Sequence, residues 1–330
     1  MVKADLITGF LGAGKTTFIR EYVKYVTGIG EKVCILENDY GAINVDMMLL
    51  SDLQSERLGL EMVAGGCDYD CHLRRFKTKL ITMAMLGYDR VIVEPSGVFD
   101  VDEFFDVLHE DRLSSMYEIG NVLTIVDADM EEVSEEGQYM LGGMLACAGK
   151  IILSRVQEVD ETCIHRTVEQ LNDILSKVSC KRVLSDQDIL VKDWSLLDEN
   201  DFKVISSSSY KDIGYVKHFS MDENGFDSLF FMNPTLNLEE LKGVITTLFE
   251  RKDIGRIIRI KGFLRDVCDQ WVEVNATCNS LRIGPVKAGQ RLVIVIGEML
   301  DEEVISSLIP SEYSTFGVKE NARKVGGMYE

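Results

Sequence analysis

Gly9-Phe10-Leu11-Gly12-Ala13-Gly14-Lys15-Thr16 fits the pattern G-x-x-x-x-G-K-[ST] in full. Each residue type has a chemical reason. Glycines let the backbone curl tightly, so that Gly9, Gly12, Ala13 and Gly14 can aim N–H groups at phosphate oxygens. The helix opening at Lys15 adds the positive end of its dipole. Lys15 can reach the β- and γ-phosphates, the Thr16 hydroxyl can bind Mg²⁺, and Thr17 can reach the α-phosphate. A chance glycine-rich turn is the plain alternative. It is disfavoured because an apolar strand precedes the motif and an amphipathic helix follows it.

Two carboxylate segments can complete such a site. Glu94 ends an apolar strand before Pro95-Ser96-Gly97. Its carboxylate can hold Mg²⁺ through water, and the Gly97 N–H can sense a γ-phosphate. The second segment, Glu37-Asn38-Asp39-Tyr40-Gly41, places two acids and an amide beside a glycine, and Asp39 is its preferred Mg²⁺ participant. A solvated acidic turn is the alternative there. A third segment, Gly65-Gly66-Cys67-Asp68-Tyr69-Asp70-Cys71-His72, gathers two thiols and an imidazole within six residues. Cys67, Cys71 and His72 would hold a soft transition ion with a fourth position open, or filled by Asp68 or Asp70. The equally weighted alternative is a glycine turn with Cys71 packed at a helix start. Cys147 and Cys268 read as core thiols, and His109 and His165 as helix-surface residues.

The elements that must position these groups alternate. Asp5–Thr8, Val33–Glu37, Val91–Glu94, Val122–Asp127 and Ile151–Ser154 are short apolar runs, read as buried parallel strands. Phe18, Ile19, Tyr22, Val23 and Val26 share one helical face, as do Val168, Leu171, Leu175 and Val178. This implies an α/β fold with a mostly parallel sheet and helices on both faces. Past the serines at 206–209, read as a linker, the pattern becomes period two. Ile258 and Ile260 oppose Arg259 and Lys261, and Val272, Val274 and Ala276 oppose Trp271, Glu273 and Asn275. With helical patterns at Leu238–Phe249 and Asp301–Leu308, that predicts a smaller α+β domain on a half-exposed antiparallel sheet. The expected domains are 1–205 and 215–330.

Composition excludes some functions. A formal net charge of −20 over 330 residues repels phosphate backbones, so nucleic acid is not an expected partner. No apolar run is long enough to span a membrane. The N-terminus enters a strand directly, without a signal-peptide pattern, and the eight cysteines lie mostly in apolar segments. A cytoplasmic protein with reduced thiols is expected.

The order GFLGAGKTT, ENDYG, GGC, EPSG and VDAD resembles the CobW-like branch of the SIMIBI-class P-loop GTPases. Arg259-Ile260-Lys261-Gly262-Phe263, Trp271 and Val295-Ile296-Gly297 extend the resemblance into the second domain. It implies Mg²⁺-dependent GTP hydrolysis, slow without help, coupled to delivery of zinc, cobalt, nickel or a related ion to a client protein. Two departures stand out. The family's Gly-Cys-x-Cys-Cys motif has gained one residue and lost a central cysteine. Its base-reading [Asn/Ser/Thr]-Lys-x-Asp is replaced by Ser154-Arg155-Val156-Gln157. An aspartate accepts both N1–H and N2–H₂ of guanine, whereas Gln157 offers one acceptor and one donor, which also admits adenine. Arg155 can still cover the base, and ATP stays open beside GTP.

The resulting expectation is a GTPase acting as metallochaperone or metal insertase, with a client protein as partner and a homodimer compatible. The rival is a metal-free nucleotide switch that remodels or reactivates a cofactor-dependent enzyme. A small-molecule kinase ranks last, because no basic lid is evident.

Overall fold

The computed structural model describes residues 1–10, 12–39, 50–64, 69–95, 101–130, 133–215, 226–278, 280–286 and 290–316. The chain divides into two compact units, Met1–Glu223 and Asn224–Glu330.

In the first unit the chain runs β1 (Val2–Thr8), α1 (Lys15–Gly28), β2 (Val33–Asp39), β3 (Leu58–Ala64), α2 (Tyr69–Met85), β4 (Arg90–Pro95), α3 (Val101–His109), α4 (Asp111–Ser114), β5 (Tyr117–Asp127), α5 (Glu135–Cys147), β6 (Lys150–Ser154), α6 (Glu161–Lys177), β7 (Ile189–Leu190) and α7 (Glu199–Ile205). Its strands form one seven-stranded parallel sheet in the order β3-β2-β4-β1-β5-β6-β7. β1 is central, and the chain passes from one side of it to the other between β4 and β5. Such reversal points are where open α/β sheets bind ligands, beyond the carboxyl ends of the strands.

The near-continuous apolar runs are explained by two buried faces. Ile7, Ile35, Ile92, Ile125 and Ile152 pack with Phe18, Tyr22 and Val26 of α1 and Phe202 and Ile205 of α7. Their chain neighbours Leu6, Leu36, Val93, Val126 and Leu153 lie in the opposite core with α2, α3, α5 and α6. Neither β3 nor β7 stood out as an apolar run. Both are edge strands. β3 carries Gly59 and Glu61, with Glu61 paired to Lys79 of α2 at 2.5 Å, and β7 is only two residues long.

A polar network lies inside this sheet. Asp5 and Arg90 are both almost wholly buried and pair at 2.6 Å. Tyr22 donates its hydroxyl to Asp5 at 2.8 Å, and Arg90 also binds Glu31 at 2.6 Å. The backbone N–H of Asn121 donates to Asp5, and the Asn121 side chain donates to the Ser206 carbonyl and accepts from the Ser209 N–H. The serine run therefore lies within the first unit, stitched to β5. Burial and the Asp5 carboxylate push the Tyr22 hydroxyl well above its usual pKa, so it remains a donor.

The second unit holds β8 (Phe226–Pro234), α8 (Leu238–Glu250), β9 (Arg256–Arg265), β10 (Trp271–Ala276), β11 (Leu281–Pro285), β12 (Leu292–Glu298), α9 (Glu302–Leu308) and β13 (Ser311–Phe316). It is a six-stranded antiparallel sheet, β11-β10-β9-β12-β8-β13, with α8 and α9 packed on its core through Leu241, Ile245 and Ile305. β10 alternates as expected. β9 does not: Ile260–Leu264 is buried throughout, Lys261 included. The Lys261 ammonium lies 3.7 Å from Glu273 and over the Phe263 ring, a pairing that lets a charged residue sit on an enclosed face. Cys268, expected in the core, is instead exposed in the turn between β9 and β10. Among the described residues, no helix is long and apolar enough to cross a membrane.

Removing Arg90 would leave Asp5 as an uncompensated buried charge. Arg90→Ala should cost about 3–5 kcal/mol, seen as a lowered urea midpoint for the first unit's unfolding. An unchanged midpoint would show that the network contributes nothing to stability.

Candidate functional site

The loop between β1 and α1 is shaped by close packing. Gly9 has φ +144°, and a Cβ there would stand 2.2 Å from the carbonyl oxygen of Ile125 on neighbouring β5. Gly14 caps α1 at φ +104°, and its missing side chain leaves room for the edge of the Trp194 ring, 3.2 Å from where a Cβ would be. Both positions demand glycine on conformational and steric grounds together. Ala13 is buried, Gly12 lies between them at φ +81°, and Leu11 is outside the described residues. The Lys15 ammonium folds back across the loop to the Gly9 carbonyl at 3.0 Å. Thr17 is exposed on the outer side of the first helical turn.

Beneath the loop, the Thr16 hydroxyl donates to Glu94 Oε1 at 2.8 Å. These residues are 78 apart in sequence, and Glu94 is buried at the end of β4. Parallel register places Glu37 of β2 directly beside Glu94, and Glu37 is buried too. A hydroxyl and a carboxylate in contact under a phosphate loop are the hard oxygen donors that suit Mg²⁺. Asp39 ends β2, but its side chain, like Gly97 and Cys67, is outside the described residues.

The base-reading turn meets the same loop from the other side. Arg155 follows β6 in a left-handed conformation at φ +58°. Its guanidinium donates to the Gly12 carbonyl at 2.7 Å and pairs with Asp127 at the end of β5. The charged head is thus spent on holding the phosphate loop, and only the stem is left to lie against a base. The Ser154 hydroxyl is buried with no hydrogen-bond partner among the described residues. Gln157 is exposed in the 3₁₀ turn Val156–Glu158. Trp194, which no motif marked, donates its indole N–H to the Leu153 carbonyl at 3.0 Å and packs edge-on against Phe18 at 5.3 Å. It wedges the β6 end against the start of α1.

The cysteine segment is described from α2 onward. Cys71 is half-buried in the first turn, while His72 is fully buried. The His72 imidazole Nε2 lies 2.8 Å from Asn38 Oδ1, and Asn38 is buried as well. His72 thus faces the end of β2. Cys34 and Cys147 lie in the core, where burial pushes both thiols up to about 12. His109 and His165 are exposed, as read from sequence.

A glycine loop cradling a lysine and a threonine at the end of the central strand of such a sheet defines a P-loop nucleotide-binding domain. Residues 3–183, more than half of the chain, match the family described as CobW/HypB/UreG, nucleotide-binding domain, and the chain belongs to that family. Among individual relatives, it is 24% identical over 190 residues to the zinc chaperone YjiA of Escherichia coli, covering 54% of this chain and 55% of that protein. It is 32% identical over 128 residues to the zinc chaperone YeiR of the same organism, covering 38% of each. It is 21% identical over 353 residues to the zinc chaperone CobW of Sinorhizobium sp, covering 93% of this chain and 96% of that one. The chain thus spans about half or less of the length of the two Escherichia coli relatives and nearly all of the third. The crystal structure of Zn(II)-bound YjiA GTPase aligns over 93% of this chain and 97% of its own, at 17% identity and a TM-score of 0.36.

Lys15→Ala should leave the fold intact and reduce triphosphate turnover about 100- to 1,000-fold, the scale for losing one preorganised donor to phosphoryl oxygens. Circular dichroism and phosphate release check the two halves. Normal turnover in a folded variant would remove Lys15 from the site.

Proposed function

We propose that this chain is a Mg²⁺-dependent GTP-binding and GTP-hydrolysing protein that carries a transition metal to a client metalloprotein or inserts it there. The observation that supports this reading best is a convergence at the carboxyl end of β2. The Thr16–Glu94 pair under the phosphate loop and the first turn of α2, with Cys71 and His72, both abut the end of β2. A nucleotide site and a thiol segment are thus separated by one strand.

In this reading Gly9, Gly12, Ala13, Gly14, Lys15 and Thr17 hold the phosphates, and Ser154, Arg155 and Gln157 meet the base. Mg²⁺, when bound, neutralises charge on the phosphate oxygens, with Thr16, Glu94 and Asp39 as its holders. Lys15 and the loop N–H groups position the phosphates, and Gly97 senses the terminal one. Among the described residues none stands out as an arginine finger; turnover is slow alone, and a homodimer partner or the client completes it. Zinc is the first cargo to test, given the names of the relatives, with Cys67, Cys71 and His72 as its candidate ligands. Cobalt and nickel are the alternatives. The second unit serves as a client platform, and the protein works in the cytoplasm.

A metal-free switch acting on a cofactor-dependent enzyme, driven by GTP or ATP, is the second reading. It is favoured by one feature: the cysteine motif has gained one residue and lost a central cysteine.

Changing Cys67 and Cys71 together to serine should abolish stoichiometric zinc binding by the reduced protein while GTP affinity stays within about threefold, since neither residue belongs to the phosphate-loop motif Gly9–Thr16. Retained zinc would move the metal site elsewhere. For base choice, Gln157→Asp should favour GTP over ATP by about 1–3 kcal/mol more than the wild type, the worth of one hydrogen bond to a buried polar edge. An unchanged GTP/ATP affinity ratio in competition binding would exclude residue 157 from base reading.

A further inference from the structure

The antiparallel sheet of the second unit ends at β11, and among the described residues no strand pairs with the outer edge of β11. Leu281 and Ile283 are 44% and 38% exposed there, although both are apolar. The inner edge is bonded to β10. Val286 donates its N–H to the Trp271 carbonyl at 2.9 Å, and Thr277 donates to the Ser280 carbonyl at 2.8 Å across the turn. Bonded pairs in an antiparallel ladder alternate with unbonded ones, so Asn275–Arg282 and Glu273–Gly284 exchange bonds and Val274–Ile283 does not. The N–H and carbonyl groups of Leu281 and Ile283 therefore point away from the sheet. Pro285 stands in the same phase and has no N–H to offer, which suits an edge position. The side chains sort in the same way. Ile283 lies on the face of Val274, which joins the core under α8, while Arg282, Gly284 and Glu273 share the opposite face.

We propose that β11 pairs with β11 of a second copy of this chain, antiparallel about a two-fold axis at Ile283, and so joins two second units into one continuous sheet. A two-fold contact must be self-complementary, and this strand meets that condition. The two Ile283 residues exchange N–H and carbonyl bonds, and each Leu281 N–H reaches the carbonyl of the partner's Pro285. On the α8 face, Leu281, Ile283 and Pro285 run against the same row reversed, which covers the exposed apolar side chains. On the other face, Arg282 comes opposite the partner's Gly284, so no like charges meet. Gly284 is bare, with nothing within 4 Å of where a Cβ would stand. One strand further on is the partner's Glu273, two strand spacings or about 10 Å from Arg282. An arginine can span that distance across a glycine. Glu273 lies 3.7 Å from Lys261, and a carboxylate has acceptor sites for both cations. The overall charge permits the approach. Most of the chain's net −20 belongs to the first unit, and in Asn224–Glu330 acidic and basic residues nearly balance. The inference rests on neither the nucleotide nor the metal reading.

Sedimentation velocity of the full reduced chain tests this, with circular dichroism to follow folding. The wild type should pass from monomer to dimer across the micromolar range. Ile283→Pro removes the N–H that bridges the two copies and should weaken the dimer about tenfold or more. Gly284→Arg meets open space within its own chain but sets like charges directly opposite across the axis, and should weaken the dimer by about tenfold as well. Adding Arg282→Glu to Gly284→Arg places opposite charges across the axis and should restore the dimer to within about threefold of wild type, a rescue that damage to the fold would not allow. A wild-type chain that stays monomeric overturns the inference and leaves the edge to a strand from a client. A wild-type dimer that Ile283→Pro and Gly284→Arg leave unchanged places the contact elsewhere and overturns it too, as does a double variant no tighter than Gly284→Arg. Should the variants fail to fold, amide hydrogen exchange of the wild type decides. Exchange at Leu281 and Ile283 should slow as the dimer forms; unchanged exchange at both in a dimer would refute the pairing.

Discussion

The contact between the Thr16 hydroxyl and the Glu94 carboxylate governs the rest of the first unit. It joins residues 78 apart, and it requires α1 to start immediately above the end of β4. That requirement goes with β4 as the neighbour of β1 and brings Glu37 alongside Glu94 in the next strand, while Gly9 and Gly14 let the loop pass close to β5 and Trp194. The remaining anchors hold the loop from outside. Arg155 reaches the Gly12 carbonyl, and Trp194 fills the space that Gly14 leaves open.

The sheet sorts its chemistry by face. Strand alternation gives the α1 face the phosphate loop and the buried carboxylates, and gives the α2 face the helix that begins at the cysteine segment. β2 is the strand whose last residues serve both. A parallel sheet buried on two sides is stiff, because every residue is held by neighbours on both faces. Displacement at one face of such a sheet is therefore felt at the other.

Much of this was legible in the sequence. The phosphate loop, Glu94 and the five inner strands announce themselves, because a buried parallel strand must be an apolar run and a phosphate loop must carry glycines at set spacing. β3 and β7 did not, being edge strands with mixed or very short sequences. Trp194 carries no motif, and its importance comes only from what it touches. The Asn38–His72 pair joins residues 34 apart, a contact that no spacing in the sequence marks. The serine run at 206–209 has the composition of a linker, yet its backbone is bonded to Asn121 and β5, because a buried asparagine can be satisfied by any main-chain carbonyl and N–H brought to it. Lys261 reads as the exposed partner of an alternating strand, and its burial follows from Glu273 and Phe263, each on or beside the neighbouring register positions.

The central claim is that nucleotide and metal occupy one protein and sense each other. Calorimetric titration of zinc into the reduced chain, with and without a bound GTP analogue, and of the analogue with and without zinc, addresses it directly. The account predicts that zinc changes analogue affinity by the same factor by which the analogue changes zinc affinity, since binding linkage is reciprocal. Tight binding of each ligand with no mutual effect, or no zinc binding in any nucleotide state, would contradict it.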